Sequence, residues 1–233
     1  MKLDASRILI TGGSLGIGKA TAKLFVEGGA KVGITGRDSR RLERAATETG
    51  SYPIVADVGD PKDVGETYKR FLDEFGGLEC LVNNAGIGLP RYAEDVTLDD
   101  LETVFRTNVF GAALMTAEAV KIFKKQNRGH IVNVGSTAGL KGYERGTVYA
   151  ASKFALRGMT MCWQAELRKH NIRVFLINPS EVATAIGSPD RVERTAPPNK
   201  LRSLEIAYAI KSVLEMDDRG FVPEFSVWAT NPW

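Results

Sequence analysis

The sequence predicts a doubly wound α/β sandwich, a seven-stranded parallel sheet with helices on both faces. Three observations lead there. Short apolar runs alternate along the chain with stretches of helical period, the order that builds strand-helix-strand units. Those runs are continuous rather than polar on every second residue, as strands covered on both faces must be. The first of them ends in a glycine cluster from which a helical pattern starts at once.

That first run, residues 7–11, leads into Gly12-Gly13-Ser14-Leu15-Gly16-Ile17-Gly18, followed by the amphipathic pattern Ala20, Ala22, Leu24 and Phe25. Gly12 permits a tight turn and close backbone approach, while Gly16 and Gly18 let the helix lie against the strand. The free N–H groups of that helix start attract an anion, so a dinucleotide pyrophosphate belongs there, as in a Rossmann fold. The spacing is one residue longer than G-x-G-x-x-G, and such loops also serve as plain strand-to-helix turns, so the loop alone does not decide.

The second run, residues 31–35, ends at Gly36-Arg37, where an NAD site would place an acid on the ribose 2′-hydroxyl. Arg37 instead offers a guanidinium to a 2′-phosphate, which points to NADP(H). Its plain alternative is a solvated strand-end arginine, and Arg40 and Arg41 can share either role. The third run, residues 52–56, is followed by Asp57 and Val58, placed to accept from an adenine amino group and to pack on its ring; taken alone, they read first as an ordinary strand-end turn. Asp60 with Pro61 behind it reads as a helix start. After the fourth run, residues 78–82, the small residues of Asn83-Asn84-Ala85-Gly86 admit a cofactor ribose while the amides tie strand ends together.

Thr97 with Asp100 caps one long expected helix, residues 98–126, which carries Asn108 among Val104, Phe105, Val109, Phe110 and Leu114. An amide in such company needs partners and can distort the helix around it. The fifth run, residues 130–134, ends at Gly135-Ser136, and a loop with Gly139, Gly142 and Gly146 leads to a helix over residues 148–169. The sixth run is 172–177, residues 185–202 read as a substrate lid rich in Pro189, Arg191, Arg194, Pro197, Pro198, Lys200 and Arg202, Ser203 reads as a cap, and the last run is 221–228. Leu140, Tyr143 and Ile186 are candidate pocket walls.

With 233 residues and no linker-like composition, residues 1–233 are expected to form a single dinucleotide-binding catalytic domain. A net charge of +3 spread over 31 basic and 28 acidic residues, without a basic block, excludes a nucleic-acid-binding class. No apolar run approaches the roughly 18 residues of a membrane span and no leader precedes the first strand, so a soluble cytoplasmic protein is expected. Cys80 and Cys162 lack metal-ligand spacing and read as small core residues of a reducing compartment, with no metal site; His130 and His170 lie at element edges as structural or solvated groups.

The chemistry sits at Tyr149 and Lys153, four residues apart and therefore on one helix face. A phenol near pKa ~10 needs a nearby positive charge to work at neutral pH, and Lys153 is expected to supply it. So tuned, Tyr149 can give a proton to a carbonyl oxygen or take one from an alcohol, with Ser136 aiming that oxygen from a strand's carboxyl end.

In this order, Thr11-Gly12-x-x-x-Gly16-Ile17-Gly18, Asn83-Asn84-Ala85-Gly86, Asn108, Ser136 and Tyr149-x-x-x-Lys153 resemble a short-chain dehydrogenase/reductase over essentially the whole chain. The resemblance implies the catalytic set Asn108, Ser136, Tyr149 and Lys153: Tyr149 as acid/base, Lys153 lowering its pKa and holding the nicotinamide ribose, Ser136 positioning the substrate oxygen, and Asn108 supporting a water that links the lysine to solvent. It implies cofactor contacts at Gly12, Ser14, Leu15, Ile17, Arg37, Asp57, Val58, Asn84 and Val182. Ala85 and Gly86 join the same cofactor set, as do Pro179 and Thr184, where Val182 and Thr184 keep the pattern that closes on the nicotinamide carboxamide.

Two departures stand out. Pro179-Ser180 replaces the family's usual Pro-Gly, and the chain ends in Phe221 to Trp228 and Pro232-Trp233 rather than the Asp-Gly-Gly of many 3-oxoacyl-thioester reductases. The expectation is therefore an NADPH-dependent reductase of a small carbonyl compound, reversible as an alcohol dehydrogenase. A 3-oxoacyl-thioester reductase and a non-catalytic NADP(H)-binding redox sensor are the alternatives. Relatives pair the two long helices across a two-fold axis, so a homodimer or homotetramer is expected.

Overall fold

Apolar runs with no polar alternation become the interior of one parallel sheet. The computed structural model describes residues 1–186, 192–193 and 195–231. Its strands are β1 (Arg7–Ile10), β2 (Lys31–Gly36), β3 (Tyr52–Val55), β4 (Cys80–Asn83), β5 (Gly129–Val134), β6 (Ile172–Pro179) and β7 (Glu224–Val227). They lie in the order β3-β2-β1-β4-β5-β6-β7, every pair parallel, as expected of a doubly wound sheet. Because β1 pairs with both β2 and β4, the chain reverses its direction of travel there, and a crevice opens at the carboxyl ends of those strands.

Side-chain alternation sorts the core into two layers. Ile8, Ile10, Val32, Ile34, Val132, Phe175 and Ile177 face α1 (Gly16–Glu27), α2 (Ser39–Thr49) and α7 (Ser203–Glu215). Leu9, Ile54, Leu81, Ile131 and Val174 face α3 (Pro61–Phe75), α5 (Ala112–Gln126) and the end of α6 (Thr147–Leu167). All residues of β5 and β6 are buried, including the polar His130, Asn133, Arg173 and Asn178, which find hydrogen-bond partners there.

Helix starts follow local chemistry. Asp60 accepts from the Lys62 N–H ahead of Pro61, and Thr97 and Asp100 exchange both bonds of a capping box at α4 (Leu98–Phe105). Ser203 is not the cap of α7: Arg202 precedes the helix, and its N–H is taken by the Glu205 carboxylate at 2.7 Å.

The expected continuous helix over residues 98–126 is broken. A π turn, Arg106–Gly111, separates α4 from α5, with Asn108 inside it. The Asn108 amide bonds away from its own helix, accepting from the Ile87 N–H at 2.9 Å and donating to the Ile87 carbonyl at 2.9 Å and the Ser152 hydroxyl at 3.0 Å. A side chain at Gly111 would run into Val58, so that turn also needs its glycine. The distortion a buried amide can cause is thus realised.

Two singletons depart from expectation. Cys162 is exposed on α6 rather than in the core, because its helix position faces away from the sheet, whereas Cys80 is buried in β4. His130 is no edge residue: it is 2% exposed within β5, its Nδ1 accepting from Arg173, and burial together with that guanidinium lowers its pKa to about 3. The last strand is shorter than the run 221–228, with Phe221 edge-on to Phe175 instead. Of the expected lid, the stem is held by the Ala183 N–H on the Leu201 carbonyl, while 187–191 and 194, with Pro189, Arg191 and Arg194, lie outside the described residues, as do Pro232 and Trp233. No helix among the described residues is long and apolar enough to cross a membrane.

Thr97→Ala removes one bond of the capping box and leaves the Arg91–Asp100 ion pair in place. It is expected to cost about 1 kcal/mol, read as a lower urea midpoint at unchanged m-value.

Candidate active site

The crevice is organised by the turn out of β1. Gly12 and Gly16 have φ of +66° and +56°, and a side chain at Gly12 would come within 2.8 Å of the Ala85 backbone. The Thr11 hydroxyl accepts from the N–H groups of Asn84 and Ala85, both at 3.0 Å. In return the Asn84 amide donates to the carbonyls of Thr11 and Gly12 at 2.9 and 3.0 Å. The ends of β1 and β4 are laced together by those four bonds.

α1 then starts without help of its own. Leu15 precedes it with no side-chain cap, and its first turn holds no acid. The Gly16 N–H is met by the carboxylate of Glu193, which arrives from beyond β6. An anion therefore already suits this helix end. Nothing local in the sequence links residues this far apart.

At the β2 end Arg37 is exposed and makes no hydrogen bond or ion pair with the described residues. Asp38 is engaged by Arg41, through its N–H at 2.9 Å and its guanidinium at 3.5 Å. Beyond β3, Asp57 accepts from the Gly59 N–H at 2.9 Å and lies 3.8 Å from Arg106, while Val58 is buried against Gly111.

At the other end Ser136 follows β5, its hydroxyl accepting from the Ala138 N–H at 3.1 Å. The first turns of α6 bring Tyr149 and Lys153 to the same wall. Lys153 is buried, and its Nζ donates to the Val134 carbonyl at 2.9 Å while lying 5.7 Å from the Tyr149 ring centre. Burial pushes the Tyr149 phenol up to about 12, against the pull of its hydrogen bond with Ser136, and burial brings the Lys153 ammonium down to about 8. The expected depression of the phenol by the ammonium is not what this pocket does. Desolvation penalises the charged form of each partner, and the ammonium spends its bond on a backbone carbonyl. A phenol that keeps its proton at neutral pH is equipped to donate it.

The crevice, about 570 Å³, brings together every catalytic and cofactor-binding candidate named from the sequence except Gly18 and Asn108. Gly18 packs beneath the loop, where a side chain would strike the Gly12 carbonyl and the Asn84 amide. Asn108 lies behind the wall, its amide spanning Ile87 and Ser152. Ile186 lines the crevice; Leu140 and Tyr143 do not, Tyr143 being turned back on Gly146. Thr35, Ile87 and Thr107, which no sequence pattern marked, also line it, as does Ser180. Ser180 alone carried a signal, as a departure from a motif. Among the described residues no cluster of His, Cys, Asp or Glu could hold a metal ion.

Comparison with known proteins agrees with this geometry. The family model described as short chain dehydrogenase matches residues 6–194. The NADP-dependent 3-hydroxy acid dehydrogenase of Schizosaccharomyces pombe is 36% identical over 191 residues, covering 78% of this chain and 74% of that protein. The 3-oxoacyl-(acyl-carrier-protein) reductase FabG of Thermotoga maritima is 34% identical, covering 84% of this chain and 82% of its own. Among solved structures, 3-ketoacyl-(acyl-carrier-protein) reductase from Brucella melitensis complexed with NADH superposes with a TM-score of 0.90 at 29% identity, covering 99% of this chain and 100% of that one.

The buried ammonium has a thermodynamic signature. Between the depressed value of about 8 and the ordinary 10.5, the unfolded chain binds more protons at Lys153 than the folded one, so stability rises with pH across that window. Relative to Lys153→Met, the native protein should gain up to about 3 kcal/mol there, measured by urea unfolding at a series of pH values. A pH-independent difference would show that the ammonium is not desolvated.

Proposed function

The chain belongs to the short-chain dehydrogenase family, and on that premise we propose that it is an NADPH-dependent reductase of a small carbonyl compound, reversible as an alcohol dehydrogenase. One observation carries this reading: Ser136, Tyr149 and Lys153 meet at the carboxyl end of β5, in the same crevice as the glycine loop. Pyrophosphate suits the uncapped start of α1, where the Glu193 carboxylate stands in for an anion. Asp57 and Val58 would flank the adenine, Gly86 and Lys153 the nicotinamide ribose, and Pro179, Val182 and Thr184 the nicotinamide itself. When bound, the cofactor supplies the hydride.

The chain's own groups supply the rest. Ser136 donates a hydrogen bond to the substrate oxygen and orients it. Tyr149 holds its proton through the neutral range and passes it to that oxygen as charge develops there. Lys153, its Nζ 5.7 Å from the Tyr149 ring centre and its ammonium brought down to about 8 but still mostly protonated at neutral pH, can restore the proton to the phenol. Asn108 is a positioning residue that fixes Ile87 and, through Ser152, the turn of α6 bearing Tyr149 and Lys153; Ser152 also donates to the Tyr149 carbonyl at 2.7 Å.

The choice of NADP over NAD rests on Arg37. One relative is NADP-dependent by name and one similar structure holds NADH, so likeness of fold leaves the matter to this guanidinium. The Thermotoga relative supports a 3-oxoacyl-thioester substrate as the second reading, and the aromatic ending of the chain argues for a smaller carbonyl. We also propose the two-fold pairing of α4–α5 and α6, where Phe110 and Met161 are 54% and 56% exposed.

Tyr149→Phe should bind NADPH normally and lose turnover by roughly 100-fold or more, and near-normal kcat would refute the acid/base role. Arg37→Asp should lower the NADPH-over-NADH ratio of kcat/KM by roughly 10- to 100-fold; an unchanged ratio would show that Arg37 does not read the phosphate.

A further inference from the structure

Resting on the reading that Ser136 and Tyr149 hold the reacting oxygen, we propose that Ser180 is a specificity-determining residue. It binds a second, uncharged oxygen of the substrate, so the enzyme acts on a hydroxy ketone or vicinal dicarbonyl in preference to a plain ketone.

Ser136 and Ser180 stand at the carboxyl ends of neighbouring strands. β5 and β6 run in register to Val134 opposite Ile177, and the Gly135 N–H continues the pairing onto the Ile177 carbonyl at 2.7 Å. On the far side, Pro179 pairs with Val227, and the Ser180 N–H donates to the Val227 carbonyl at 2.9 Å. The backbone at Ser180 is therefore held by β7 and does not depend on a bound molecule for its place. Its hydroxyl is another matter. Ser180 lines the crevice with Ile87, Ser136, Tyr149 and Ile186, and its Oγ has no hydrogen-bond partner among the described residues.

A free hydroxyl beside apolar walls selects among ligands. Once a substrate displaces water, the group must be bonded to it or left unpaired, so an analogue lacking the matching oxygen is disfavoured. The charge of that oxygen follows from the walls. At this end the one charged group among the described lining residues is Lys153, and its Nζ is engaged by the Val134 carbonyl. Among the described residues a carboxylate finds no free cation there, whereas a hydroxyl or carbonyl needs only a donor or acceptor. The glycine usual in the family at this place offers neither.

The test uses the purified enzyme with NADPH and matched substrates: diacetyl and acetoin against butanone. Native enzyme should favour the two oxygenated compounds. Ser180→Ala should lower kcat/KM for them by roughly 10- to 100-fold, chiefly through KM, with butanone and the KM for NADPH unchanged. Ser180→Thr, which keeps a hydroxyl, should restore part of the loss. Equal effects on both substrate types, no native preference for the oxygenated compounds, or a change confined to the NADPH KM would each overturn the proposal. Turnover that depends on Tyr149 but ignores Ser180 sinks this inference alone, whereas turnover indifferent to Tyr149, or none with any compound, sinks the proposed function beneath it.

Discussion

Everything at this site depends on the bonds that join Thr11 to Asn84. A parallel sheet that reverses its winding between β1 and β4 would leave two strand ends free to splay, and the crevice between them would have no fixed width. The Thr11 hydroxyl takes two backbone N–H groups from the β4 end, and the Asn84 amide answers two carbonyls at the β1 end. With both strand ends fixed, Gly12 can take its positive φ against Ala85, and α1 starts where an anion can reach it.

A second polar chain does comparable work in the core. Asn83 on β4 donates to Thr116 of α5 and to Asn133 of β5, and Asn133 donates on to Thr160 of α6. These groups are fully buried, so each bond is worth keeping: an unpaired amide there would carry its whole desolvation cost. The chain sets α6 against the sheet. Asn108 does the same nearer the crevice, linking the π turn to Ile87 on one side and Ser152 on the other. Side-chain amides thus fix the helix that carries Tyr149 and Lys153.

The electrostatics of that pair follow from depth. Both groups are removed from water without an opposite charge beside them, so the neutral phenol and a readily deprotonated amine are favoured. A phenol that keeps its proton beside a lysine drawn below its ordinary value can donate that proton, which a standing phenolate could not.

What the sequence by itself determined was local or periodic. Continuous apolar runs specified a sheet covered on both faces, the glycine cluster specified a strand-to-helix turn, and Asp60 and Thr97 specified helix starts, because each signal acts within a few residues. The i, i+4 spacing alone put Tyr149 and Lys153 on one face. Tertiary structure decided what depends on partners distant in the chain. The break at Asn108 needed Ile87 and Ser152 to draw its amide aside, and the burial of His130 needed Arg173. Capping of Gly16 needed Glu193, and the high phenol pKa needed the walls of the crevice. Hydrogen bonds and desolvation are properties of neighbours in space, and a linear pattern does not record which neighbours those are.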